Sequence, residues 1–258
     1  PHISVILTSL TTNGAWYQSI LPAHFTLEHY STALGHPLAV GSIRNSLFYA
    51  TCAVAIDLAF GLLIGYLIVR TRVWGRTLID SLAMLPLAVP GLVMAFGYVA
   101  MTLRWPFGEG DPLHGVIDVI GAEPNPIPLL IIAYAVRRLP YVVRATVAGL
   151  QQTSGEMEEA ALNLGAGKLR AIRTVVIPLI AANLIAGALL AFSFAMLEVS
   201  DSLILAQREE HFPITKAIYV LFERLGDGLY IASAMGVWGM ALLAVTVIGA
   251  SLLIGRKM

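Results

Sequence analysis

The chain is predicted to fold as an all-α bundle of membrane-spanning helices, and three observations carry that expectation. Of its 258 residues, 57% are hydrophobic and only 12% charged, with a mean hydropathy of +0.78, too little polar surface to cover a water-soluble body of this size. Apolar runs recur at Leu47–Val69, Ser81–Leu103, Thr174–Leu197 and Leu229–Gly255, with Asp57 as their one charge. Each has the roughly twenty residues that cross a bilayer core of about 30 Å as a helix. Sixteen basic residues balance sixteen acidic ones, so no net positive charge invites nucleic acid. The lone Cys52 lies within a span and excludes a disulfide framework.

The elements follow in order. His2–Leu10 is apolar but too short to span and carries no basic leader. It reads as the end of a first helix, truncated here, in a segment of a longer polypeptide. A span over about 44–70 follows, with Asp57 near its centre and a small-residue pair, Gly61 and Gly65, suited to a close helix contact. The next, about 78–103, is broken in its middle by Pro86, Pro90 and Gly91. A span at about 126–148 is interrupted by Arg137 and Arg138, which predicts that its polar half is shielded by protein or faces water. Spans at about 174–199, containing Pro178 and Gly187, and about 229–255 complete roughly six helices in one transmembrane domain, 1–258.

The loop 149–173 holds the most specific pattern. Glu156 to Leu164 is rich in strong helix formers, with Ser154 available as an N-cap and acids in the first turn. Gly165 and Gly167 permit a turn, and Lys168 to Ile172 begin a second helix, giving a helix-turn-helix knuckle. Ala160 and Ala161 leave a smooth face for docking, and Glu158 and Glu159 offer carboxylates to a basic partner. Gly165-Ala166-Gly167-Lys168 is no phosphate loop, because Leu162 and Leu169 stand where a Walker A motif needs Gly and Ser or Thr.

Glu159, Ala160, Ala161, Gly165, Val175, Ile177 and Pro178 match the spacing of the EAA signature of ABC importer permeases, with Val and Ile as apolar swaps. The chain therefore resembles that family. Phe25-Thr26-Leu27-Glu28-His29-Tyr30, Arg44-Asn45-Ser46-Leu47, Arg70-Thr71-Arg72 with Gly75-Arg76, Leu85-Pro86 through Pro90-Gly91 and Arg138-Leu139-Pro140 fall in the order seen in its ferric-iron and polyamine types. The resemblance implies one transmembrane half of a type I importer, in a bacterial inner membrane, with the opening similar to the start of a second half in a fused permease. It implies two ATP-binding-cassette ATPase subunits, a second permease half and an extracytoplasmic substrate-binding protein as partners. ATP and Mg would lie on the ATPases, with no cofactor and no catalysis on this chain. Glu158, Glu159, Ala160, Ala161, Gly165 and Pro178 become ATPase-coupling residues. The cargo it implies is ferric iron or a related small solute.

With that loop inside, Arg70, Arg72, Arg76, Arg137, Arg138, Arg144, Lys168, Arg170, Arg173, Arg256 and Lys257 are cytoplasmic, against Arg44, Arg104, Arg208, Lys216 and Arg224 outside. This agrees with the positive-inside rule and puts the C-terminus in the cytoplasm. Trp16, Tyr17, Trp105 and Tyr230 then suit the outer interface. Asp57 must be paired, protonated or in a wet cavity, either as a pathway residue or as a structural partner for an Arg. Asn183, Ser193, Glu198 and Asp201 follow the loop along the next helix, which the family places beside the pathway. Glu198 and Asp201, three apart, would share a helical face and either meet a cation or pair with Arg208 or Arg224. A secondary transporter or channel is the alternative, but it would thread ionisable residues through several spans. A membrane enzyme would need a constellation at membrane depth, and all six His lie elsewhere.

Overall fold

The structure is a computed structural model that describes residues 1–16, 19–121, 123–224 and 226–255. Tyr17, Arg256 and Lys257 lie outside the described residues. The described helices are α1 (His2–Leu10), α2 (Glu28–Gly35), α3 (Pro37–Arg70), α4 (Arg76–Ala88), α5 (Gly91–Thr102), α6 (Ile127–Gln151), α7 (Glu156–Asn163), α8 (Lys168–Ala171), α9 (Ile177–Leu179), α10 (Ala181–Met196), α11 (Ser200–Leu205), α12 (Ile214–Glu223) and α13 (Gly228–Gly255). Two isolated bridges, Thr11 with Phe25 and Asp118 with Asn125, are the only β pairings among the described residues.

Two helices are long and apolar enough to cross a membrane, Pro37–Arg70 and the Gly228–Gly249 part of α13, and two broken pairs add α4 with α5 and Lys168–Leu179 with α10. The expected break in the third span falls at one place only. Pro86 sits inside α4, whereas Val89 is extended at φ −91° and ψ 130° ahead of Pro90, and Gly91 opens α5. A residue before proline is pushed out of the helical region, which is why Pro90 breaks the span and Pro86 does not. The stretch expected as a span at 126–148 forms one continuous helix, α6, that carries Arg137, Arg138 and Pro140 within it and, with those charges, is not among the helices apolar enough to cross a membrane.

The chain forms two compact units. One comprises Pro1–Ala50, Gly91–Tyr134 and Ala195–Ala244, the other Thr51–Pro90, Ala135–Phe194 and Val245–Met258. In the first, α1 and α2 are tied down by polar contacts. His29 Nε2 lies 2.8 Å from the Thr11 carbonyl, and the Ser9 and Tyr30 hydroxyls are 2.7 Å apart. Tyr230 stacks on the His29 ring at 5.0 Å and accepts the Gly14 N–H at 2.8 Å. Trp105, by contrast, is 77% exposed. Asn45 donates to the Glu210 and Phe212 carbonyls, and Ser46 Oγ accepts the Ile214 N–H at 2.8 Å, which anchors the segment leading into α12.

In the second unit, α6 is gripped by its neighbours through glycines. A Cβ added at Gly61 would lie 2.6 Å from Val142 Cγ1, and one at Gly65 would lie 2.6 Å from Thr146 Cγ2. Gly187 of α10 approaches Ala145 as closely, at 2.6 Å. Close backbone approach of this kind lets helices gain van der Waals contact without a hydrophobic driving force. Tyr66, Leu150, Val176, Ile180 and Leu184 form an apolar cluster there. Leucines and phenylalanines such as Phe60, Leu63, Leu78 and Leu82 stay exposed, as side chains facing lipid do.

Candidate functional site

The knuckle is built from local rules. α7 begins at Glu156 with Gly155 at the N-cap position and no side-chain capping bond, so Ser154 is not the cap. Instead Glu156, Glu158 and Glu159 occupy the first turn, where the helix dipole favours acids. At the other end Gly165 has φ 90°; its N–H donates to the Leu162 carbonyl at 2.9 Å, and the Ala166 N–H to Ala161 at 3.0 Å. Those two bonds with a left-handed glycine make a Schellman termination, which a residue with a Cβ enters only under strain.

The second arm runs Lys168–Leu179 and contains a π turn at Ile172–Val176 immediately before Pro178. Pro178 lacks an N–H and crowds the carbonyl four residues earlier, so the preceding turn widens. This arm meets α10 at a 77° bend. The apolar run beginning at Thr174 is therefore not one straight span. Its first residues belong to the knuckle, and α10 alone, at about 24 Å, is short for a bilayer.

Glu158 and Glu159 point to different fates. Glu158 is 7% exposed and turned inward, where it accepts the Tyr66 hydroxyl proton and pairs with Arg70 Nε at 3.8 Å. It is therefore not offered to a partner. Arg70 also donates through Nη2 to the Thr153 carbonyl at 2.8 Å and to Thr153 Oγ1 at 3.2 Å. Lys168 of the second arm places Nζ 5.6 Å from the centre of the Tyr66 ring. Glu159 and Ala160 are exposed and Ala161 half-buried, and around them lie exposed Met157, Leu164 and Leu169. Tyr66, Arg70, Thr153 and Lys168 were not singled out for this role from sequence. The one available signal was that Tyr66 and Arg70, four apart, share a face at the end of their span.

The polar groups inside the spans are largely placed by packing. Asp57 is 1% exposed, neither carboxylate oxygen has a hydrogen-bond partner among the described residues, and it lies within electrostatic reach of Arg138. Arg138 in turn sits over the Phe194 ring at 5.7 Å, and Tyr141 stacks on the same ring at 5.1 Å. This is protein shielding for the arginine. Asn183 is half-buried, and a Cβ at Gly149 would lie 3.1 Å from its Cβ. Ser193 is fully buried, its hydroxyl within hydrogen-bond distance of the Leu189 carbonyl, at 2.7 Å, and of the Thr246 hydroxyl of α13.

Glu198 and Asp201 do not share one helix face. α10 ends at Met196, Glu198 lies in the break, and Asp201 is in the first turn of α11. Both are buried, at 4% and 0% exposure. Glu198 Oε1 accepts the Ser200 N–H at 3.1 Å, and its carbonyl accepts from Ser202 Oγ at 2.6 Å and Thr215 Oγ1 at 2.5 Å. Ser202 also meets the Tyr134 hydroxyl at 2.6 Å. An acid at this position satisfies a free N–H of a helix start. Arg224 pairs with Glu209 at 3.2 Å and Arg208 with Glu210 at 3.8 Å.

The chain is 32% identical over 238 residues to the ferric transport system permease protein FbpB of Actinobacillus pleuropneumoniae, covering 87% of this chain and 32% of that one. It therefore spans about a third of that relative's length. It is 30% identical over 181 residues to the sulfate transport system permease protein CysT of Salmonella typhimurium, covering 69% and 62%. In fold it is similar to a chain of a bacterial ABC transporter involved in the import of the acidic polysaccharide alginate, with a TM-score of 0.68, 18% identity and coverage of 98% and 88%. Residues 58–256 match the family model described as binding-protein-dependent transport system inner membrane component, and the chain belongs to that family.

Proposed function

We propose that this chain is one transmembrane half of an ATP-driven type I importer, working with two ATPase subunits, a second permease half and an extracytoplasmic binding protein. The observation that carries this reading is the knuckle: a Schellman-terminated helix and a second arm that present Glu159, Ala160 and exposed Met157, Leu164 and Leu169 together. An apolar patch ringed by charge is what a docking helix offers a partner groove. Eleven basic residues against five support a reading in which the knuckle and the C-terminus face the cytoplasm, the side on which the ATPases would bind ATP and Mg.

In this mechanism the chain does no chemistry. Closing of the ATPase pair draws the two knuckles together, and the helices joined to them tilt between inward-open and outward-open states. The ATPases bias the equilibrium only through a contact that differs between those states. Asp57, Asn183, Ser193, Glu198 and Asp201 belong to helices or connections bordering the path. Ferric iron is the proposed cargo, supported by the ferric permease relative; uptake of radioactive iron, with sulfate as the competing probe, tests it.

A crosslinking experiment tests the coupling role. In a Cys52→Ser background, Asn163→Cys forms a disulfide or bismaleimide adduct with a cysteine-bearing ATPase subunit, and Glu210→Cys does not. Adducts from position 210 with none from 163 would invert the topology and overturn the assignment.

A further inference from the structure

Both arms of the knuckle converge on one side chain of α3. The Tyr66 hydroxyl donates to Glu158 on the first arm, and the Tyr66 ring face carries Lys168 of the second at 5.6 Å. One turn later on α3, Arg70 pairs with the same Glu158 and also grips Thr153, in the segment between α6 and α7. Tyr66 is itself 7% exposed and packs in the apolar cluster with Val176 and Ile180, which lie on either side of Pro178. A single aromatic side chain thus holds a carboxylate from one arm, an ammonium from the other and the base of the proline bend.

We propose that Tyr66 is the positioning residue that makes α3 and the knuckle move as one body, so that a displacement imposed on the knuckle is delivered to α3 rather than absorbed by the loop. The inference rests on the importer reading above. Its physical basis is that these contacts differ in kind. The Tyr66–Glu158 hydrogen bond is charge-assisted and directional. The Arg70–Glu158 pair is largely removed from solvent, so water screens it little. The Lys168 contact is a cation over a ring. A joint fixed by three interactions at different atoms of α3 resists rotation as well as separation. Two-state coupling requires an element that does not deform continuously, and a loop ending in Gly165 and Gly167 would deform without such an anchor. Glu158 is then internal to the lever, and Glu159 is left to face the partner.

The test uses the full permease assembled with its ATPases and binding protein in proteoliposomes, with Cys52→Ser. Spin labels at Leu63→Cys, on the exposed side of α3, and at Asn163→Cys report the distance between helix and knuckle without ATP and with ATP and vanadate. The expected result is one distribution in both states for native Tyr66. In Tyr66→Phe, which keeps the ring and the Lys168 contact, the distribution broadens or shifts between states, and stimulation of hydrolysis by the binding protein falls about tenfold, the scale of a coupling free energy between sites. Basal hydrolysis persists. If Tyr66→Phe fails to accumulate in the membrane, Lys168→Gln, at an exposed position, gives the same broadening through the other arm. A native distance that changes between states, or a Tyr66→Phe transporter with native stimulation and an unchanged distribution, overturns the proposal. Failure of the importer reading is a separate result, because it shows as loss of the Asn163 crosslink to the ATPase.

Discussion

Gly65 and Thr146 lie so close that a methyl group added at the glycine would stand 2.6 Å from Thr146 Cγ2, and one turn earlier Gly61 meets Val142 in the same way. Stepping back one more turn on both helices gives Asp57 and Arg138, which are within electrostatic reach of one another. The three pairs, 57 with 138, 61 with 142 and 65 with 146, advance together in steps of four, so this stretch of α3 runs parallel to α6. The register that lets the backbones touch also sets the buried acid near the arginine.

Gly61→Ala is expected to destabilise the folded permease by about 1–3 kcal/mol, the cost of overpacking, since Val142 is β-branched and cannot swing aside. Gly41→Ala, on the same helix with nothing within 4 Å of the added carbon, is expected to be neutral or slightly stabilising. Thermal unfolding of both variants in detergent measures the contrast. Equal stability of the two would show that α3 and α6 do not meet at Gly61.

Gly165→Val separates backbone strain from packing. Nothing lies within 4 Å of a Cβ at Gly165, but its φ is 90°, which a β-branched residue adopts at a cost of about 1–3 kcal/mol. The knuckle should therefore distort while the rest of the chain stays folded, and binding-protein-stimulated hydrolysis should be lost. Gly167→Ala is the control, because Gly167 has φ −66° and equally open surroundings. Native stimulation in Gly165→Val would remove Gly165 from the coupling role.

Much of the knuckle was legible in the sequence because its determinants are local. Gly165 closes α7, Pro178 widens the turn before it and Pro90 breaks a span through rules that act within four residues. The inward direction of Glu158 was not legible. Glu156, Glu158 and Glu159 are all acids in one turn, and which of them faces Tyr66 depends on how α7 docks on α3. The break at 197–199 was missed for a different reason. Leu197-Glu198-Val199 contains no glycine or proline, and the helix restarts at Ser200-Asp201, a pair whose preference for helix starts was the only available hint. The small-residue pair Gly61 and Gly65 was read as a helix contact, but its partner α6 could not be named from spacing alone.

Arg138→Met alone should be more damaging than Arg138→Met combined with Asp57→Leu. Removing the arginine alone takes away the positive field that favours the buried Asp57 carboxylate, whereas replacing both residues by apolar side chains removes the two buried polar groups together, a change that is often neutral. The comparison applies here because Asp57 is 1% exposed with no hydrogen-bond partner among the described residues. Melting temperatures of the single and double variants give the coupling energy directly. A double variant as unstable as the sum of the singles would mean that Asp57 answers to something other than Arg138.

The double change Glu198→Gln with Asp201→Asn tests whether the buried acids serve the fold or the cargo. Glu198 accepts the Ser200 N–H at 3.1 Å, and the amide oxygen of glutamine is able to keep that bond, so the substitution removes charge and little else. Both acids stand at the start of α11, where a negative charge is favoured by the helix end, and both are buried rather than presented to an aqueous surface. The loss should therefore appear in stability, at about 1 kcal/mol, which lowers the melting temperature by about 2–4 °C for a chain of this size. Uptake of iron per folded transporter should be unchanged, as should basal ATP hydrolysis. The opposite pattern, unchanged melting with uptake abolished, would assign the two carboxylates to a cation on its way through the membrane and reject the capping role.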